Sequence, residues 1–164
     1  MSGNELIERL GLQPHPEGGY FLETYRAEHS IKSGHTQRAV STAIYYLLCE
    51  GSVSHLHRID ADELWHAYAG SGLRVHIFDE RGYRSLDIGS DLSAGQRPQG
   101  VVPAGAWFGA ELLNADDYAL VGCTVAPGFE FSSFELAERA ALLARYPEQH
   151  AVIERLTAPS PGAG

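Results

Sequence analysis

The chain has 164 residues, 44% of them hydrophobic and 20% charged, and its formal net charge is −9. These values describe one globular domain long enough to bury a core, and they exclude a disordered chain. The negative balance sets aside nucleic acid and anionic membrane surfaces as partners, because both repel an acidic surface.

In chain order, Asn4 to Leu10 reads as a short amphipathic helix, with Ser2 or Asn4 placed to cap it and Gly11 to stop it. No basic start or long apolar stretch marks a signal peptide, and no apolar run reaches membrane-spanning length. A cytoplasmic location is therefore expected. Residues 13–20 (QPHPEGGY) carry two prolines and two glycines and read as an irregular loop.

Strands follow. Phe21 to Arg26 is rich in β formers, and Thr42 to Leu48 (TAIYYLL) is a nearly continuous apolar run of strand length. Segments 52–59, 63–68 and 73–78 alternate; Glu80 to Gly82 is a tight turn, and 83–88 returns as a strand. A polar loop covers 91–99, and strands are expected at 101–102, 107–112 and 118–125. Many short strands separated by turns predict an all-β sandwich or barrel. Ser132 to Glu135 has the S-x-x-E form of a capping box, so a helix is expected over 136–145 and another over 147–156. The predicted domain spans 1–157, and the Pro/Gly/Ala-rich stretch 158–164 reads as a disordered tail. Cys49 and Cys123 sit in apolar runs without knuckle or redox spacing, as small buried hydrophobes of a reducing compartment.

The chemistry concentrates in Gly51 to Gly70 (GSVSHLHRIDADELWHAYAG). Strand alternation places His55 and His57 on one face, and a following hairpin brings Glu63 towards His57. Two imidazoles and a carboxylate suit a divalent metal; His57 and Glu63 alone suit proton transfer. Both readings stand at this point. His66 falls on the opposite face from Glu63, and His76 alternates with Val75 and Ile77 as a structural residue. Tyr68 shares the side of His66.

The spacing Gly51-x5-His57-x-Ile59-x3-Glu63-x6-Gly70 resembles the first cupin motif, G-x5-H-x-H-x3-E-x6-G. Pro103-x-Gly105-x2-Phe108 resembles the second, P-x-G-x2-H, with Phe108 in place of the histidine. Together with PHPEGGYFLETYR at 14–26, TAIYYLL at 42–48 and GCTVAPGFEFSSFEL at 122–136, these blocks are similar to the cupin type 5 family across nearly the whole chain. The resemblance implies a double-stranded β-helix, or jelly-roll barrel, with the terminal helices outside, commonly as a homodimer. It implies a small-molecule pocket inside the barrel for a carbohydrate-like or other polar metabolite. The usual cupin metal ligands are two histidines and a glutamate from the first motif and a histidine from the second; here only His57 and Glu63 remain. No cofactor is assigned. If a divalent metal binds, its ligands are expected to be His55, His57 and Glu63, with His15 as a possible fourth.

Three functions follow as expectations. The first is an epimerase or isomerase resembling the metal-free sugar-nucleotide 3,5-epimerases, with His57 as base, Glu63 orienting it and Tyr25 returning a proton. The second is a metal-dependent dioxygenase or isomerase, and the third a non-catalytic binding protein. Glu17, Glu23, His55, Trp107 and Phe108 are the expected substrate contacts. Gly18 and Gly19 allow the tight backbone path of a lid.

Overall fold

The structure, a computed structural model, describes residues 1–159. Of the expected tail, 160–164 lie outside the described residues.

Helix α1 (Gly3–Leu10) begins with a capping box: the Ser2 side chain accepts from the Glu5 amide while the Glu5 carboxylate accepts from the Ser2 amide. It ends at Gly11, whose φ of 68° is left-handed. The strands are β1 (Gln13–Pro14), β2 (Tyr20–Arg26), β3 (Ser30–Ser33), β4 (Thr36–Ala39), β5 (Thr42–Leu48), β6 (Ser54–Arg58), β7 (Asp62–Gly70), β8 (Leu73–Asp79), β9 (Gly82–Ile88), β10 (Gln99–Val102), β11 (Trp107–Leu112), β12 (Ala119–Ala126) and β13 (Glu135–Leu136). Helices α2 (Arg139–Arg145) and α3 (His150–Arg155) follow.

Two antiparallel sheets face one another as a jelly roll. One has the order β1-β2-β5-β12-β7-β10 and the other β13-β6-β11-β8-β9. The hairpin β3–β4 stands apart from both. Trp65, Tyr46, Phe108, Val75, Ile77 and Val121 fill the space between the sheets. Leu56 and Phe78 point the other way and are covered by Leu142, Ile153 and Leu156 of the C-terminal segment. Leu47 and Leu120 are covered by Leu6 of α1 and by Leu12. The helices therefore bury the outer faces of strands whose inner faces already form the core. That is why TAIYYLL reads as a continuous apolar run and not as an alternation.

Three local expectations are corrected. Ser132 to Glu135 does not cap a helix. Glu135 and Leu136 instead pair with Arg58 and His57 as β13, covering the free edge of β6, and α2 starts only at Arg139. Satisfying the backbone of an otherwise bare edge outweighs the local helical signal. Next, β6 and β7 are not a hairpin: they belong to opposite sheets, joined by a corner at residues 59–61. Finally, residues 13–14 are not loop throughout, since they pair with Phe21 and Tyr20.

Candidate functional site

The loop after β1 carries Glu17 into the barrel. The Gly18 amide donates to the His15 carbonyl and the His15 amide to the Gly19 carbonyl, each at 2.9 Å. Gly18 and Gly19 adopt φ of 106° and 73°. A Cβ on Gly18 would stand 2.0 Å from the Val53 carbonyl oxygen, so this close approach requires glycine. Gly18→Ala is expected to cost more than about 2 kcal/mol in a urea titration, because strain and a backbone clash act together.

Strand β6 holds the loop from the other side. The His55 amide donates to the Glu17 carbonyl at 2.6 Å, and His55 Nδ1 contacts the same oxygen at 2.8 Å. The Tyr46 hydroxyl donates to the Gly18 carbonyl at 2.5 Å. His55 thus positions backbone and does not line the cavity.

Two strand positions on, His57 Nε2 lies 2.7 Å from Glu17 Oε2, with both side chains almost fully buried. The approach is oblique, so Oε2 has an ionic contact but no aligned donor. His57 Nδ1 sits 2.8 Å from the His55 carbonyl oxygen, which can only accept, so Nδ1 carries a proton. A lone pair on Nε2 would face a carboxylate; a proton there gives an imidazolium. Burial opposes charging His57, but the Glu17 carboxylate, then Glu63 and the His55 carbonyl, hold its pKa above the ordinary value. Burial likewise opposes ionising Glu17, and His57 outweighs it, leaving the carboxyl below its usual range.

Glu63 reaches the same cavity from the opposite sheet, where its backbone pairs with Val125 and Val102. Burial first, and the Glu17 charge second, push its pKa up to about 7. Neighbouring Cys123 is pushed well up by burial and by Glu63. His57 and Glu63 share the cavity, but no contact within ion-pair distance joins them among the described residues. The carboxylate that touches His57 is Glu17, which corrects the expected His57–Glu63 pair.

The cavity encloses about 90 Å³, space for a few waters or a small ligand fragment. Phe134 flanks the imidazole at 5.3 Å and lines the cavity; Phe108, expected as a substrate contact, packs against the imidazole at 4.1 Å but does not line the cavity. Phe129, Phe131 and His15 continue the aromatic wall, with Phe131 53% exposed at the mouth. There Arg26 bridges Glu23 at 2.7 Å, Glu130 at 3.2 Å and the Phe129 carbonyl at 3.0 Å. Arg38, itself buried, anchors this wall through the Gly128 carbonyl and Asp60.

Other expected site residues lie elsewhere. Tyr25 is 56% exposed and does not line the cavity, although Glu23 does. A bulge at Thr24 shifts the register between them and reverses the alternation. Trp107 points to the outer side of its sheet, under the Arg58 guanidinium at 4.4 Å. His66 contacts Thr124 and Gln99, and His76 sits between Tyr83 and Glu111. Glu130, Cys123, Phe129 and Phe131 line the cavity although no motif in the sequence marks them as site residues.

These residues do not fit a resident metal. Ile59 and Phe108 occupy two cupin ligand positions and offer no donor. His55 is engaged with the Glu17 carbonyl, and His57 has a backbone carbonyl on one nitrogen and a carboxylate on the other. Among the described residues no three His, Cys, Asp or Glu side chains converge as ligands, so the set His55, His57 and Glu63 is not assembled.

The family model described as Cupin superfamily (DUF985) matches residues 4–137. The uncharacterized protein YML079W of Saccharomyces cerevisiae is 32% identical, over 77% of this chain and 71% of that protein. A hypothetical protein from Leishmania major superposes with a TM-score of 0.90 at 36% identity, covering 97% of this chain and all of that one. Protein SO0799 from Shewanella oneidensis gives a TM-score of 0.90 at 40% identity, over 98% and 99% of the two chains. An oxalate decarboxylase mutant from Bacillus subtilis shares the fold alone, with a TM-score of 0.55, 18% identity and 41% of its chain covered. No helix among the described residues is long and apolar enough to cross a membrane.

Proposed function

We propose that this chain, which belongs to the DUF985 family of the cupin superfamily, binds a small polar metabolite inside its barrel and moves a proton on it, as an isomerase or epimerase does. The observation that carries the reading is the buried trio Glu17, His57 and Glu63 at the end of an aromatic-walled cavity. The lining carboxylates outnumber the cations, which favours an uncharged ligand such as a carbohydrate or its lactone over an acid. The roles differ from those read in the sequence. His57 is the electrostatic partner, because Glu17 favours its cationic form. Glu63, with a pKa near neutrality, is the base. Glu63 takes a proton from the carbon beside a carbonyl, and the cationic His57 stabilises the enolate that forms. The Glu63 carboxyl then returns the proton to that carbon, on its other face once the enolate has turned, which releases the epimer and regenerates the carboxylate.

The test is a panel of aldoses, ketoses and sugar lactones incubated with the protein in D2O, with deuterium uptake read by mass spectrometry and binding by thermal shift. Wild type is expected to label at least one compound at the carbon beside its carbonyl, and Glu63→Gln to label it at least about 100-fold more slowly. Binding without labelling would mark a carrier and overturn the catalytic reading. A panel that neither binds nor labels would overturn the ligand class.

A further inference from the structure

A second cleft lies outside the barrel cavity, at the β8–β9 turn end of the five-stranded sheet. It encloses about 520 Å³ between the β8–β9 turn, the loop at 103–106 and the end of α2. Four arginines line it, Arg58, Arg81, Arg84 and Arg145, against two carboxylates, Asp79 and Glu80. A chain with 12 basic and 21 acidic residues thus gathers a third of its cations around one cleft. Among the lining residues the arginines exceed the carboxylates by two, which leaves the cleft positive in an acidic chain.

The guanidinium groups of Arg58, Arg84 and Arg145 have contacts that position them, and all four keep free donors. Arg58 rests on the Trp107 ring at 4.4 Å and gives Nε and Nη2 to Glu135, leaving three of its five N–H groups. Arg84 gives one N–H to Asp79 at 2.9 Å. Arg145 lies over the Tyr146 ring, and the Tyr146 hydroxyl donates to the Asp79 carbonyl at 3.0 Å, tying the end of α2 to β8. Neither Arg81 nor Arg145 has a carboxylate partner among the described residues. Donors therefore reach the cleft from β6, the β8–β9 turn, β9 and the end of α2. A flat carboxylate is satisfied by one guanidinium; several approaching from different directions suit a tetrahedral, multiply charged oxyanion.

We propose that this cleft is a binding site for a small polyanion of the phosphate class, separate from the barrel cavity, with Arg58, Arg81, Arg84 and Arg145 as its donors. The free phosphate and the phosphoryl group of a metabolite share this chemistry, so the test uses inorganic pyrophosphate and glucose 1-phosphate. Each is titrated into the full chain while thermal unfolding is followed, against sodium chloride at matched ionic strength. A hundredfold excess over Kd is expected to raise the midpoint by about 5–10 °C. A response to pyrophosphate alone identifies a free polyphosphate as the source; a response to both extends the site to phosphorylated metabolites. The doubly substituted Arg81→Glu, Arg145→Glu protein loses the shift while its unliganded midpoint stays within about 2 °C of wild type. Arg81→Ala, on an exposed turn, reduces the shift without touching the helix. Wild type responding to neither phosphate beyond the chloride control, or the double variant keeping the full shift, overturns the proposal.

Discussion

His57→Ala lowers the unfolding free energy by about 3–5 kcal/mol at pH 5–6, because it strands the Glu17 carboxylate in a site that is 5% exposed. The aligned donor that Oε2 already lacks is then joined by the loss of its nearest counter-charge. The pH window follows from the shifts. Glu17 has a lowered folded pKa, so its contribution is present above the unfolded carboxylate value and is lost as pH falls through the folded value. His57 has a raised folded pKa, so its contribution is complete below the unfolded imidazole value and is lost as pH rises through the folded one. The difference between wild type and variant is greatest between these limits and shrinks on the acid side, where a stranded Glu17 is protonated. Urea titrations at several pH values measure it. The control is the double replacement Glu17→Leu with His57→Leu, which removes both charges and recovers most of the loss, because apolar packing substitutes well for a buried ion pair. A double variant as unstable as His57→Ala would show that the loss comes from imidazole packing against Phe108 and not from the stranded charge.

Glu63→Gln is more stable than wild type above pH 7, by about 3 kcal/mol. The folded pKa of Glu63 is about 7 against the ordinary carboxyl value of 4.5, so the folded protein holds this proton more tightly than the unfolded chain. The resulting stability is present below pH 4.5 and is lost as pH rises through 7, after which an ionised Glu63 remains buried beside Glu17. Glutamine keeps the shape and carries no charge, so the variant lacks this slope. The two proteins therefore match in acid and diverge through the window between the two pKa values. Parallel curves across that window would mean that Glu63 is ionised in the folded state throughout, and its role as a base near neutrality would fall. The same variant is the one used to remove proton transfer, so stability gained and labelling lost in a single protein separates function from folding.

What was legible in the sequence was mostly local. Alternation, turn residues and the length of apolar runs located most strands, because each depends on neighbours within a few positions. Ser2, Glu5 and Gly11 mark the bounds of α1 for the same reason. The cupin blocks are spacings along the chain, and they identified the barrel and singled out His57 and Glu63, which line one cavity. Where those residues point, and at what, was decided by pairing over long separations. Glu17 meets His57 because a glycine turn and the His55 contacts close a loop of some forty residues, and nothing near either residue encodes that closure. Tyr25 leaves the site because one extra residue, Thr24, opposes β5 and reverses every side chain beyond it. Trp107 and Phe108 part to opposite faces of one strand, one to the outer arginine cleft and one against the imidazole. Ser132 to Glu135 carries a sound helix signal, yet β6 presents unpaired backbone groups there and β13 satisfies them. Short-range propensity is weak beside a buried hydrogen bond or a charge deprived of water, and only the assembled barrel determines which groups meet that condition.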